Sequence, residues 1–256
     1  MTDTSAPDTG VSETTGDLRP RKEKPKRSGA VRFLRDVAVI LVAAIVISFL
    51  IKTFLIRSFY IPSESMEDTL VKNDRIIVNE LVPDLVGLER GDVVVFKDPG
   101  GWLDNNPPAP DPGPIAGFFD WILSFVGLTA PDSNDHLIKR VIGLPGDEVA
   151  CCNEFGQMTV NGVPLEETYV KLPDNITDVS AETFDITVPA DHIWVMGDNR
   201  YNSRDSRFHQ EDPGGGSVPI SNVVGRAILI TWPISRWTWL DNYSFVFNGV
   251  DDAKDK

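Results

Sequence analysis

A chain of 256 residues with 38 Asp and Glu against 24 Lys and Arg carries a net charge of −14. A surface this negative repels phosphate, which excludes nucleic acid as a partner and leaves solubility as the simpler use of the charge. The only two cysteines, Cys151 and Cys152, are neighbours; that spacing neither grips a metal nor ties distant segments together, and the sequence leaves open whether they are thiols or a vicinal disulfide.

The first 36 residues are rich in Thr, Ser, Asp, Pro, Lys and Arg, with almost no large apolar side chain before Val31. They can bury no core, so residues 1–35 are expected to be a disordered basic tail. Residues 37–51 then contain no charge, and past Lys52 the apolar character continues to Ile56. About 20 residues of helix span roughly 30 Å, the thickness of a hydrocarbon core, with Lys52 snorkelling to the interface. Residues 36–56 are therefore expected to form a single transmembrane helix. Arg19, Arg21, Lys22, Lys24, Lys26, Arg27, Arg32 and Arg35 precede it, which favours a cytoplasmic N-terminus and puts residues 57–256 on the outer face of the cell membrane. The length of the basic region, and the lack of a small-x-small cleavage site after the apolar core, argue for an uncleaved anchor over a signal peptide.

The outer part reads as mainly β. Residues 75–79, 92–96, 137–142, 158–160, 184–188, 193–196 and 227–232 are short runs rich in branched or aromatic side chains. Most end in Gly, Pro, Asp or Asn, which is the pattern of strands and turns. Asn161-Gly162 marks a hairpin turn between Val160 and Val163. Long helical periodicity is scarce after the anchor, so one β-dominated domain is expected.

One insertion, at about residues 100–134, breaks the pattern. Residues 100–114 are rich in Pro, Gly and Asn, and residues 115–128 are almost wholly apolar, with only Asp120 charged. The apolar stretch is too short to span a bilayer, but Phe118, Trp121, Ile122 and Phe125 share a helical face. Two readings stand side by side: an interfacial helix that dips into the outer leaflet, and an ordinary core or lid helix.

Chemistry begins at Pro62-Ser63-Glu64-Ser65-Met66, just past the apolar run. A serine hydroxyl needs a base to become a nucleophile, and histidine is the usual one. His136, His192 and His209 are the only three, and none sits in a triad or metal-ligand setting. There is no Gly-x-Ser-x-Gly elbow, no His-Glu-x-x-His and no Ser-x-x-Lys. A lysine base remains. It must be neutral to accept a proton, which requires its pKa of about 10.4 to fall by several units through burial. Lys139 suits this by position, because it interrupts the apolar pattern of Leu137, Ile138, Val141 and Ile142.

Four segments then carry a resemblance. Tyr60-Ile61-Pro62-Ser63-Glu64-Ser65-Met66, Arg90-Gly91-Asp92-Val93-Val94-Val95-Phe96, Ile138-Lys139-Arg140-Val141-Ile142-Gly143-Leu144-Pro145-Gly146-Asp147 and Gly197-Asp198-Asn199-Arg200-Tyr201-Asn202-Ser203-Arg204-Asp205-Ser206-Arg207 resemble the ordered boxes of bacterial type I signal peptidases. The likeness runs from about Phe59 to Pro233 and passes over the tail and the insertion. It implies a membrane-anchored serine endopeptidase with a β-rich catalytic domain, which removes N-terminal signal peptides from exported precursors and works without metal or organic cofactor. By that resemblance Ser65 is the nucleophile and Lys139 the general base. The Ser63 hydroxyl and the Ser65 backbone N–H form an oxyanion hole, and Ser203 orients the Lys139 amine. Asp205 and Arg207 form a supporting ion pair. Ile61 and Ile138 match residues that wall the pockets for small side chains at the first and third positions before the cut. The implied partners are signal peptides and the bilayer; a partner in the export machinery is not specified.

Two positions depart from the family pattern. Asp68 stands in the stretch after the nucleophile, where Pro is common, and Tyr201 stands where an acidic residue is frequent. Neither removes a proposed catalytic group, but both bear on cleft shape and pH dependence. The rival readings from sequence are a self-cleaving repressor-type Ser/Lys protease, which has no need of a spanning segment, and a binding module that holds a peptide without cutting it.

Overall fold

The computed structural model describes residues 29–103 and 135–254. The expected tail, up to residue 28, and the apolar segment 115–128 of the insertion lie outside the described residues.

Helix α1 covers Gly29–Phe54, 26 residues, starting before the apolar run because Arg, Leu and Ala are themselves good helix formers. Its described apolar side chains are exposed, Ile40 at 67% and Phe33 at 68%. No helix, over its described side chains, is long and apolar enough to cross a membrane; for α1 those side chains reach to Phe49 and include Arg32, Arg35 and Asp36. The apolar sequence continues beyond them. It does not all belong to the helix, however, since Ile56 is the first residue of strand β1, Ile56–Tyr60.

The remaining strands are β2 (Arg75–Asn79), β3 (Val93–Lys97), β4 (His136–Gly143), β5 (Glu148–Cys151), β6 (Thr159–Val160), β7 (Val163–Pro164), β8 (Phe184–Thr187), β9 (His192–Met196), β10 (Val218–Pro219), β11 (Val223–Trp232) and β12 (Thr238–Trp239), followed by a short helix α2, Val250–Lys254. They make an eight-stranded sheet in the order β1-β2-β11-β3-β4-β9-β10, with β12 paired to β11, and a four-stranded sheet in the order β7-β6-β5-β8. Every pairing of these strands is antiparallel. The β6–β7 hairpin turns at Asn161 and Gly162, both at positive φ (52° and 75°), the conformation a two-residue hairpin loop demands and these two residue types accept. Cys151 and Cys152 are bonded to each other.

Strand β3 shows why the large sheet is read as an unbroken apolar run. Val93 and Val95 pack with Phe59, Ile61, Met66, Leu70, Ile76 and Ile138 in one cluster. Val94 and Phe96 pack with Trp102, Val141, Ile193 and Val195 in another. Successive side chains point to opposite faces, and both faces are covered here, so polar alternation is lost. A third cluster, around Val149, Met158, Leu165, Phe184 and Trp194, fills the space by the small sheet.

Candidate active site

The antiparallel register of β3 with β4 sets Val94 opposite Lys139 and Phe96 opposite Leu137. Leu137, Lys139 and Val141 therefore share one face of the sheet, against the buried Val94 and Val195. This leaves the Lys139 side chain in an apolar setting, 4% exposed. Burial lowers its pKa from 10.5 to about 8; the Asp205 and Asp198 carboxylates limit the fall and Arg207 adds to it.

Ser65 arrives from the loop between β1 and β2. The Lys139 Nζ lies 2.8 Å from Ser65 Oγ and donates to the Ile138 carbonyl at 3.0 Å. Two residues 74 positions apart thus meet, and the loop carrying the serine is held from the far end of the chain. The Asn199 N–H donates to the Ser65 carbonyl at 3.1 Å, and Asn199 Nδ2 donates to the Glu64 carbonyl at 3.2 Å. Gly197 has to be glycine for this approach: a Cβ there overlaps the Ser65 carbonyl oxygen and Ser203 Oγ. Ser63 Oγ lies 3.3 Å from Ser65 Oγ.

Ser203 lines the same cleft as Ser63, Ser65 and Lys139. Its buried Oγ makes no hydrogen bond of normal geometry among the described residues, so no bond from it to the Lys139 amine is present, although it lies near enough to Asp205 to help keep that carboxyl ionised. Asp205 and Arg207 form a buried pair with two 2.8 Å contacts. Asp205 also accepts from the Gly197 N–H at 2.9 Å, and Arg207 donates to the Arg200 carbonyl at 2.8 Å. Burial pushes the Asp205 carboxyl up, but the Arg207 guanidinium and the Gly197 N–H outweigh it and the net shift is downward. The pair pins the segment that carries Gly197 and Ser203.

Ile61 and Ile138 are brought together, but beneath the site and not at its surface. Alternation along β4 turns Ile138 to the face opposite Lys139, and both isoleucines are buried in the same cluster. The cleft that opens on Ser65 and Lys139, of about 770 Å³, is walled by Trp102, Leu137, Tyr201 and Phe208. Asp68, for its part, contacts Lys171 at 3.3 Å, and the Tyr201 hydroxyl donates to the Asp178 carbonyl.

Sequence reasoning passed over Arg140 and Asp198. Both are fully buried, and they meet in a two-point ion pair at 2.9 and 2.7 Å. The available signal was an arginine inside an apolar strand, since such a charge is seldom buried unless paired. Among the described residues no group of three or more His, Cys, Asp and Glu is placed to hold a metal.

A buried amine with a pKa of about 8 is neutral in roughly a tenth of molecules at pH 7. A neutral amine at hydrogen-bond distance accepts the serine proton, and the alkoxide that develops attacks a carbonyl carbon. The constellation therefore fits acyl transfer, with a hydroxyl and an amine of lowered pKa at hydrogen-bond distance.

Comparison with known proteins agrees in class. Residues 34–232 match the family described as signal peptidase, peptidase S26. Signal peptidase I of Mycobacterium tuberculosis (strain H37Rv) is 39% identical over 249 residues, covering 91% of this chain and 83% of that protein. Signal peptidase I of Leptolyngbya laminosa is 36% identical over 176 residues, 69% of this chain and 68% of the relative. Signal peptidase I P of Bacillus subtilis subsp. natto is 30% identical over 220 residues, 84% of this chain and 96% of the relative.

Proposed function

Because this chain belongs to the signal peptidase I family, serine proteases of the peptidase S26 type that remove signal peptides from precursor proteins, we propose that it cuts with Ser65 as nucleophile and Lys139 as general base. The observation that carries the assignment is the 2.8 Å approach of the Lys139 amine to the Ser65 hydroxyl in a setting that depresses the amine pKa. Neutral Lys139 takes the hydroxyl proton as Ser65 Oγ attacks the scissile carbonyl. The oxyanion is met by the Ser63 hydroxyl and the Ser65 backbone N–H, donors aimed at charge that exists only in the tetrahedral intermediate. Lys139 then returns the proton to the departing amine, and water hydrolyses the acyl-enzyme by the same route reversed. Ser203 and the Asp205–Arg207 pair act by holding the wall around the amine. Cutting after small residues belongs to the same proposal; Ile61 and Ile138, which the family resemblance put in the pocket walls, are buried under the cleft and limit its depth from beneath.

We also propose the single-pass topology, with the basic tail cytoplasmic, the apolar part of α1 from residue 36 to Phe54 as the anchor, and the chain from β1 onward outside. It is supported by the uncharged residues 37–51 inside α1 and by the cations before them. The β-rich part adds an apolar surface of its own: Trp232, Ile234, Trp237 and Trp239 are 53 to 71% exposed. Tryptophan is favoured at membrane interfaces, where its ring is half apolar and half polar.

One experiment tests both. Detergent-solubilised full-length protein incubated with a secretory precursor should yield a single mature-length product, absent with Ser65→Ala, and the same protein should resist alkaline carbonate extraction from membranes. An intact precursor with folded wild type sinks the catalytic assignment; release into the carbonate wash sinks the anchor. Gly197→Ala should in addition lower stability by about 1–3 kcal/mol in urea unfolding, as overpacking does, and reduce cleavage at least tenfold by pushing Ser65 away from Lys139.

A further inference from the structure

The geometry points to Trp102 as a specificity-determining wall of the cleft, positioned by His209. This rests on the proteolytic reading above and goes beyond it, because the small-residue pockets were assigned to Ile61 and Ile138 and nothing in that reading uses Trp102. The indole is built into place. Its ring meets Phe96 edge-on at 5.9 Å and 90° and stacks flat on the His209 imidazole at 4.4 Å and 9°. Its backbone N–H donates to Asp98 Oδ1 at 3.1 Å, and the same carboxylate accepts from the Gly100 N–H at 2.9 Å, which closes the turn that delivers it. His209 is 2% exposed and is itself held, with Nδ1 2.6 Å from Asp212 Oδ2.

The position of this stack relative to the reacting pair gives it a consequence. Phe96 faces Leu137 and Val94 faces Lys139 across the same two strands, so Trp102 covers the sheet one residue pair along from the amine. With Leu137 and Phe208 it forms the apolar side of the cleft that opens on Ser65 and Lys139. A large flat ring held by one stacked and one edge-on aromatic contact does not yield to a substrate side chain, so it sets how large that side chain can be. His209 touches neither Ser65 nor Lys139 and acts by keeping the ring from turning.

A panel of precursors, each with one Ala near the cut replaced by Phe, tests this in full-length protein. Trp102→Ala should raise the Phe-to-Ala ratio of kcat/KM by about tenfold or more at one substrate position, the size expected for opening an apolar pocket, and Trp102→Phe by a smaller factor at the same position. His209→Ala should give part of the same shift, and His209→Phe, which keeps an aromatic face against the indole, should restore the wild-type ratio. An unchanged ratio at every position, or an equal rise at all of them, overturns the role of Trp102. If Trp102→Ala does not fold, an unchanged ratio with Trp102→Phe does so instead. If His209→Phe behaves like His209→Ala, the positioning role of His209 is overturned. A wild type that leaves every precursor intact signals failure of the proteolytic reading itself, and this inference falls with it; a wild type that cuts while the ratios stay flat removes only the inference.

Discussion

Cleavage should rise about tenfold per pH unit through the acid range and level off above the Lys139 pKa of about 8, the profile of an amine base that works only when neutral. The sign follows from burial. Desolvation penalises the ammonium, while the carboxylates of Asp205 and Asp198 favour it, so the pKa stops short of the value that burial alone would give. A bound peptide expels more water and tips the balance further toward the neutral amine. The limb for kcat should therefore lie at lower pH than the limb for kcat/KM. Lys139→Ala should reduce kcat by about a thousandfold, within the range a positioned base contributes. Lys139→Arg should be no better, because a guanidinium does not lose its proton. The same burial has a cost in stability. Below about pH 8 the lysine is protonated both folded and unfolded, and the fold shelters a charge. Between about pH 8 and 10.5 the folded form has lost its proton while the unfolded form keeps it, so stability rises with pH across that window. The window is worth about 3 kcal/mol, and Lys139→Met should stabilise the protein at neutral pH by up to that amount while ending activity. A rate flat from pH 9 down to 6, or a Lys139→Met protein less stable than wild type, would contradict an amine buried for its basicity.

Much of this was legible from local pattern, and the exceptions share one cause. Strand β2 falls on the expected residues, 75–79, because turns bound it and its composition is unambiguous. The Asn161-Gly162 turn was readable because backbone conformation there is decided by two residues. Strand β1 was hidden: Ile56 belongs to the same apolar run as the helix, and hydropathy does not mark where a helix hands over to a strand. Ser65 and Lys139 were recognisable as types in ordered boxes. Their contact depends on strand register and on Asn199 reaching back to the serine loop, neither of which any local window contains. The stack of Trp102 on His209, 107 positions away, was invisible for the same reason. His209 was set aside as a base, and its use as a flat surface has no sequence signature.

The largest structural loss should come from splitting Arg140 from Asp198. Both side chains are 0% exposed in their ion pair. The guanidinium also donates to the Gly91 carbonyl at 2.6 Å and lies 4.1 Å from the centre of the Tyr169 ring. Removing either partner strands a charge with no water to solvate it, so Asp198→Ala and Arg140→Met should each cost about 3–5 kcal/mol in urea unfolding. The double variant Arg140→Met/Asp198→Leu strands nothing and should lose clearly less than the sum of the single losses, giving a coupling of at least about 1 kcal/mol in a double-mutant cycle. Additive losses, or an Asp198→Ala protein within about 1 kcal/mol of wild type, would show that the pair is not the hinge of this region. The site should register the change as well. The Asp198 carbonyl accepts from the Lys171 N–H, and the next residue, Asn199, donates to the Ser65 carbonyl, so a displaced Asp198 loosens the serine loop. The Asp198 charge is also one of the two that hold the Lys139 pKa up. Asp198→Asn, which keeps the shape and removes the charge, should accordingly move the acid limb of the pH profile to lower pH even where it lowers the rate, a combination that simple unfolding of the site does not produce.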